Sequence, residues 1–88
     1  MKTPKQLERC FKGVANHRRL EILNIVNKNN GMTLGQIAEN LNCNFKTISE
    51  HTRRLVHAGL LNKKYQAQEV SHSLSPYGKK FIIFIKSF

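Results

Sequence analysis

Two helical apolar periods meet inside residues 33–60, TLGQIAENLNCNFKTISEHTRRLVHAGL, and this junction constrains the fold more than any other stretch. Leu34, Ile37, Ala38 and Leu41 fall at i, i+3, i+4 and i+7, which gives the first run one apolar face. In the second run Phe45, Ile48, Leu55 and Val56 mark an apolar face, with Thr52 its one weak position. Asn42-Cys43-Asn44 separates them. Asn tolerates the left-handed backbone that a tight reversal needs, and Asn44 is a good N-cap for the helix beyond. Two helices joined by a turn of about three or four residues form a helix-turn-helix.

Opposite the second apolar face run Lys46, Ser49, Glu50, Arg53 and His57, a polar and mostly basic stripe. Such a helix fits a DNA major groove, where Lys and Arg meet phosphates and guanine edges. The bland alternative is a solvated helix face. Charge favours the first reading. The 88 residues carry 15 Lys and Arg against five Asp and Glu, a net charge of +10. A surface of that kind attracts polyanions, nucleic acid first and an anionic membrane second. Between Asn44 and Lys64 the cations Lys46, Arg53, Arg54, Lys63 and Lys64 face a single acid, Glu50.

The length suits one domain over residues 1–88 with one modest core. Pro4 precedes a helix expected over 5–14, with Leu7, Cys10, Phe11 and Val14 on one face and Gly13 ending or loosening it. Asn16 then caps a helix over about 17–29, whose Leu20, Ile22, Leu23, Ile25 and Val26 cover more than one stripe and predict a central position. His17, Arg18 and Arg19 stand at its start, where cations are unfavourable. A plain surface location is the expectation, a phosphate or partner contact the alternative. Asn29-Asn30-Gly31 marks a loop, and Thr33 with Gln36 forms a capping-box pair for a helix over 33–41. The recognition helix, 45–58, ends at Ala58-Gly59.

From Leu60 the period becomes two. Strands are expected at about 60–65 and 69–74, broken at Gln66-Ala67-Gln68. A hairpin directly after a recognition helix is a wing, and its Lys63, Lys64, Gln66 and Gln68 could reach phosphates or a minor groove. It could equally be a hairpin that only covers the core. Ser75-Pro76 opens a last helix over 76–87. There Tyr77, Phe81, Phe84, Ile85 and Phe88 form one stripe, widened by Ile82 and Ile83. So much apolar surface at the chain's end predicts an interface, and with Leu7 and Phe11 it is the candidate for a twofold dimer contact. The expected class is therefore mainly α with a small β-hairpin, a winged helix-turn-helix.

These residues resemble the ArsR-type winged-helix repressors, and share much with MarR-like regulators. Ala15 to Leu23, Ile37-Ala38-Glu39-x-Leu41, Thr47 to His51, Ala58 to Leu61 and Leu74-Ser75-Pro76 carry the likeness, over roughly residues 14–78. The resemblance implies a homodimer on a palindromic duplex operator, with half-site centres about 34 Å apart. It implies DNA contacts from Asn44, Phe45, Lys46, Thr47, Ser49, Arg53 and the wing tip; Thr33, Glu50 and Arg54 join the candidate set as neighbours. Metal-sensing members carry a Cys-x-Cys motif early in the helix-turn-helix or carboxylate and His ligands in the last helix. Here Thr33-Leu34-Gly35-Gln36 stands in the first place, and the last helix has no Asp, Glu, His or Cys, so no metal and no cofactor is expected. Glu50 stands where many members have Arg, leaving a base contact to cytosine or repulsion by phosphate both open.

Other classes find less support. Cys10, Cys43, His17, His51, His57 and His72 share no ligand spacing; the two cysteines read as structural, Cys10 as a small buried hydrophobe. Scattered acids and no phosphate loop argue against an enzyme. A protein-binding or RNA-binding winged helix remains the alternative. Phe45 could stack on a base or touch a thymine methyl, but inward packing is the expectation. No apolar run resembles a signal peptide or spans a bilayer, which makes the expected location the cytoplasm, at the nucleoid.

Overall fold

The computed structural model describes all of residues 1–88. Along the chain run α1 (Pro4–Val14), α2 (His17–Lys28), β1 (Met32–Thr33), α3 (Leu34–Asn40), α4 (Phe45–His57), β2 (Leu61–Gln66), β3 (Glu69–Leu74) and α5 (Pro76–Ile85). Each helix starts on an oxygen-bearing cap. Thr3 and Thr33 form capping boxes with Gln6 and Gln36. Asn16 accepts from the Arg18 and Arg19 amides, Asn44 from those of Lys46 and Thr47, and Ser75 from that of Gly78. Each such cap stabilises by about 1 kcal/mol.

The reversals are equally local. At Asn42 φ is +49°, the amide of Asn42 donates to the Glu39 carbonyl, and that of Cys43 donates to Ala38. Gly59, at φ +80°, closes α4 in the same way: its amide donates to Val56 and the Leu60 amide donates to Leu55. These paired bonds satisfy the carbonyls that a helix end leaves without partners. The left-handed Asn42 is what lets α3 and α4 meet without a longer loop.

α2 is the central helix and touches α1, α3, α4, α5 and β3. Its Ile22 and Leu23 are wholly buried, together with Ile37 of α3, Ile48 and Leu55 of α4, and Leu60. The α1–α4 seam differs from the sequence expectation. Gly13 neither ends nor loosens α1, which continues through Val14. A Cβ on Gly13 would lie 2.4 Å from the Cβ of Ala58, so the glycine permits a close helix approach. Cys10 is buried beside it, its thiol donating to the Ala58 carbonyl at 3.5 Å. Gly78 plays the matching part in α5, backed against the Leu60 carbonyl, while the Ser75 hydroxyl donates to Gly59 at 2.6 Å.

The wing carries a third strand that the sequence did not announce. β1 pairs antiparallel with β3, Met32 opposite His72, and the sheet order is β1-β3-β2. β2 and β3 pair from Leu61–Leu74 to Gln66–Glu69, so the turn is the two residues Ala67 and Gln68, with Ala67 at φ +56°. Lys63 and Tyr65 share a face with His72 and Val70 but lie exposed, because the hairpin runs out past the core. α5 ends at Ile85, short of the expected 87.

Candidate nucleic-acid interface

α4 turns Ile48, Thr52 and Leu55 into the core and leaves Lys46, Thr47, Glu50, Arg53, Arg54 and His57 exposed. Ser49 is half-buried. Thr52 fits an apolar face because its hydroxyl is satisfied within the helix, donating to the carbonyls of Ile48 and Ser49 at 2.9 and 3.0 Å. Phe45 does not pack inward. It is 56 % exposed, at the first position of α4, beside a shallow hollow formed with Gly35, Ala38 and Cys43. The stripe therefore opens on an uncovered aromatic ring rather than on the core. The side-chain oxygen of Asn44 is engaged as the cap, and Thr33 is held in its capping box.

Glu50 is clasped by its own helix. Its carboxylate accepts from Arg53 at 2.6 Å and from Arg54 at 3.3 Å. The Arg53 hydrogen bond holds the carboxyl below the ordinary Glu value against some desolvation, and the two guanidinium charges add to that. Glu50 thus steers two cations through Oε1 and neutralises part of their charge.

Beneath the stripe, Arg19 has a role its sequence position only hinted at. From the first turn of α2 its guanidinium donates to the Lys12 and Gly13 carbonyls at 3.1 and 3.2 Å, closing the end of α1. Its Nε donates to Nδ1 of His51 at 3.2 Å. One side chain so ties α1 and α2 to the middle of α4. Burial pushes His51 below the ordinary His value; Arg19, Arg54 and His17 push the same way and Glu50 opposes.

In the wing Lys63, Lys64, Gln66 and Gln68 are all exposed, with the Lys63 ammonium 5.5 Å from the Tyr65 ring centre. His72, on the central strand, is 3 % exposed, and its Nδ1 has no hydrogen-bond partner. Burial lowers its pKa, the Met32 backbone resists and Lys63 adds to the lowering.

Away from α4 the apolar candidates gather on one surface. Phe11 of α1 meets Phe81 edge to face at 5.2 Å, Phe81 meets Phe84 at 6.4 Å, and Phe84 meets Phe88 at 5.2 Å. Leu7, Phe11, Tyr77, Phe84 and Phe88 are exposed, while Phe81 and Ile85 are half-buried against the core. Ile82, read as part of the stripe, instead belongs to the core. No three His, Cys, Asp or Glu side chains within the chain gather where they could hold a metal ion. No helix is long and apolar enough to cross a membrane.

A capped helix-turn-helix, an exposed basic stripe and a three-stranded wing define a winged helix-turn-helix protein. The profile of the bacterial regulatory protein arsR family matches residues 16–63, more than half of the chain, and the chain belongs to that family. It is 33 % identical to the transcriptional activator HlyU of Vibrio cholerae serotype O1, over 83 % of this chain and 67 % of that protein. The structure of reduced HlyU from Vibrio cholerae N16961 superposes with a TM-score of 0.79 at 30 % identity, covering 92 % of this chain and 84 % of that one. The homodimeric winged helix-turn-helix DNA-binding domain Mb0332 of Mycobacterium bovis, at 21 % identity, shares the fold with a TM-score of 0.86 over 94 % of this chain and 77 % of that one. The protein is a DNA-binding transcriptional regulator and not an enzyme.

Proposed function

We propose that this regulator binds a palindromic duplex operator as a homodimer, with the N-terminal half of α4 in the major groove and the wing on the backbone or minor groove. The exposed Phe45, Lys46 and Arg53, with half-buried Ser49 between them, carry this reading, because nothing in the fold covers those three. The Asn44 side-chain amide N–H and the Thr47 hydroxyl meet phosphate at the helix start, Lys46 and Arg53 supply charge, and Thr33, Arg54, Lys63, Lys64, Gln66 and Gln68 flank them. Glu50 acts as a splint for its two arginines. The aromatic ladder of α1 and α5 is the proposed twofold contact between two chains of residues 1–88, and the working location is the cytoplasmic nucleoid.

Selection of bound fragments from random duplexes should yield a palindrome. On that operator, Lys46→Ala and Arg53→Ala should each lower the slope of log K against log salt by about 0.9, one phosphate contact apiece. If both variants bind like the wild type, groove insertion by α4 is wrong.

A further inference from the structure

α1 has two faces of opposite character. Leu7, Cys10, Phe11 and Val14 lie on one, and Lys5, Glu8, Arg9 and Lys12 lie on the other, at helical spacing. The basic face forms one wall of an open groove of about 980 Å³ whose other wall is Arg53, Arg54 and His57 from the last turns of α4. The close contact of Gly13 with Ala58 forms its floor. Glu8 is the groove's one acid and is already paired with Lys12 at 3.2 Å, whereas Lys5 and Arg9 make no ion pair.

This shape suits an extended polyanion better than a small organic ligand. The groove is open and Ala58 is the one hydrophobic residue among those that line it, so a small molecule would find little enclosure there. It also continues the α4 stripe, because Arg53 and His57 belong to both. Lys5 to Lys12 spans about 10 Å at 1.5 Å per helical residue. That reach covers about three base-pair steps of 3.4 Å along the duplex axis.

We propose that the groove is a second DNA contact, in which Lys5, Arg9 and Lys12 hold backbone phosphates flanking the half-site that α4 reads. The inference rests on α4 as the reading helix, and it lengthens the footprint without adding base recognition. Phosphate contacts fix position and carry no sequence information directly.

The test uses the double variant Lys5→Ala/Arg9→Ala, whose changes fall on the face of α1 away from the aromatic ladder. Its fold and oligomeric state, checked by circular dichroism and gel filtration, should match the wild type. Binding is measured over a salt series on two duplexes, one trimmed to the operator and one with ten further base pairs on each side. On the longer duplex the variant's salt slope should be smaller than the wild type's by about 1.8, two phosphate contacts. On the trimmed duplex the two proteins should agree. An unchanged slope on the longer duplex, or an equal loss on both, overturns the proposal. Lys46→Ala run in parallel separates the two readings. A loss confined to Lys46→Ala sinks the groove alone. A loss confined to Lys5→Ala/Arg9→Ala on the longer duplex supports the groove and removes α4 as the reader.

Discussion

Two single residues decide how α1 sits on the rest of the protein. Gly13 is the first. Alanine in a helix interior is favoured over glycine by about 1 kcal/mol, but overpacking a seam costs about 1–3 kcal/mol. With Ala58 only 2.4 Å from the added methyl, overpacking should win. Gly13→Ala should therefore lower the urea midpoint, and adding Ala58→Gly should recover most of the loss; an additive double variant would show that the two sites do not touch. Arg19 is the second. Arg19→Ala removes donors from the Lys12 and Gly13 carbonyls and from His51, and should destabilise by about 1–3 kcal/mol. The same change takes a cation away from His51, so the His51 pKa, followed by NMR, should move up toward the ordinary histidine value. A stationary His51 titration would mean that Arg19 does not reach α4 in solution.

Among elements, α5 does two jobs, and they must be tested apart. Ile82 and Gly78 are buried and hold α5 to the domain, while Phe84 and Phe88 face outward. Truncating residues 81–88 would remove Ile82 and damage the fold along with the surface. Phe84→Asp/Phe88→Asp spares the core. It should leave the circular dichroism intact and convert the proposed dimer to a monomer in sedimentation velocity; a folded dimer at the same concentration would place the interface elsewhere. The elements that sequence made legible are those held by local bonds. Caps at Asn16, Thr33, Asn44 and Ser75 and the reversals at Asn42 and Gly59 act over a few residues, and their side chains announce them. β1 was hidden because two residues show no period and its partner, His72, lies 40 positions away along the chain. Gly13 reads as a helix breaker until Ala58 is placed beside it. Phe45 fits the apolar period of α4, yet the first residue of a helix can fall beyond the edge of the core, and periodicity does not show where the core stops. The basic groove escaped for the same reason: its walls are two helix faces more than 40 residues apart, each of which alone reads as solvated surface.

At the scale of the molecule, stability is set against charge. Fifteen cations and five acids share a body of 36 × 26 × 21 Å, and the ion pairs engage only Glu8, Glu21 and Glu50. Lowering the pH adds histidine charge to a surface that already repels itself. His72 sharpens the effect, because it is buried neutral with Nδ1 unpartnered. Its folded pKa lies below the unfolded value near 6.5. Between those two values the unfolded chain binds the extra proton, so the stability that neutral His72 provides is complete above about pH 6.5 and declines as pH falls toward the folded pKa. His51 is shifted in the same direction and acts in the same window. Denaturation midpoints at constant ionic strength should therefore drop between pH 7.5 and pH 5.5, with His72 contributing at most about 1.4 kcal/mol per pH unit. His72→Leu keeps an apolar group between the sheet and the core and cannot titrate, so its midpoint should fall less steeply while His51 still contributes. A His72→Leu midpoint that falls as steeply as the wild type's would move the acid sensitivity away from the wing and leave surface repulsion as its cause. Raising the salt concentration separates those two origins. Screening relieves repulsion among exposed charges, but it leaves a proton on a buried imidazole nearly as unfavourable as before.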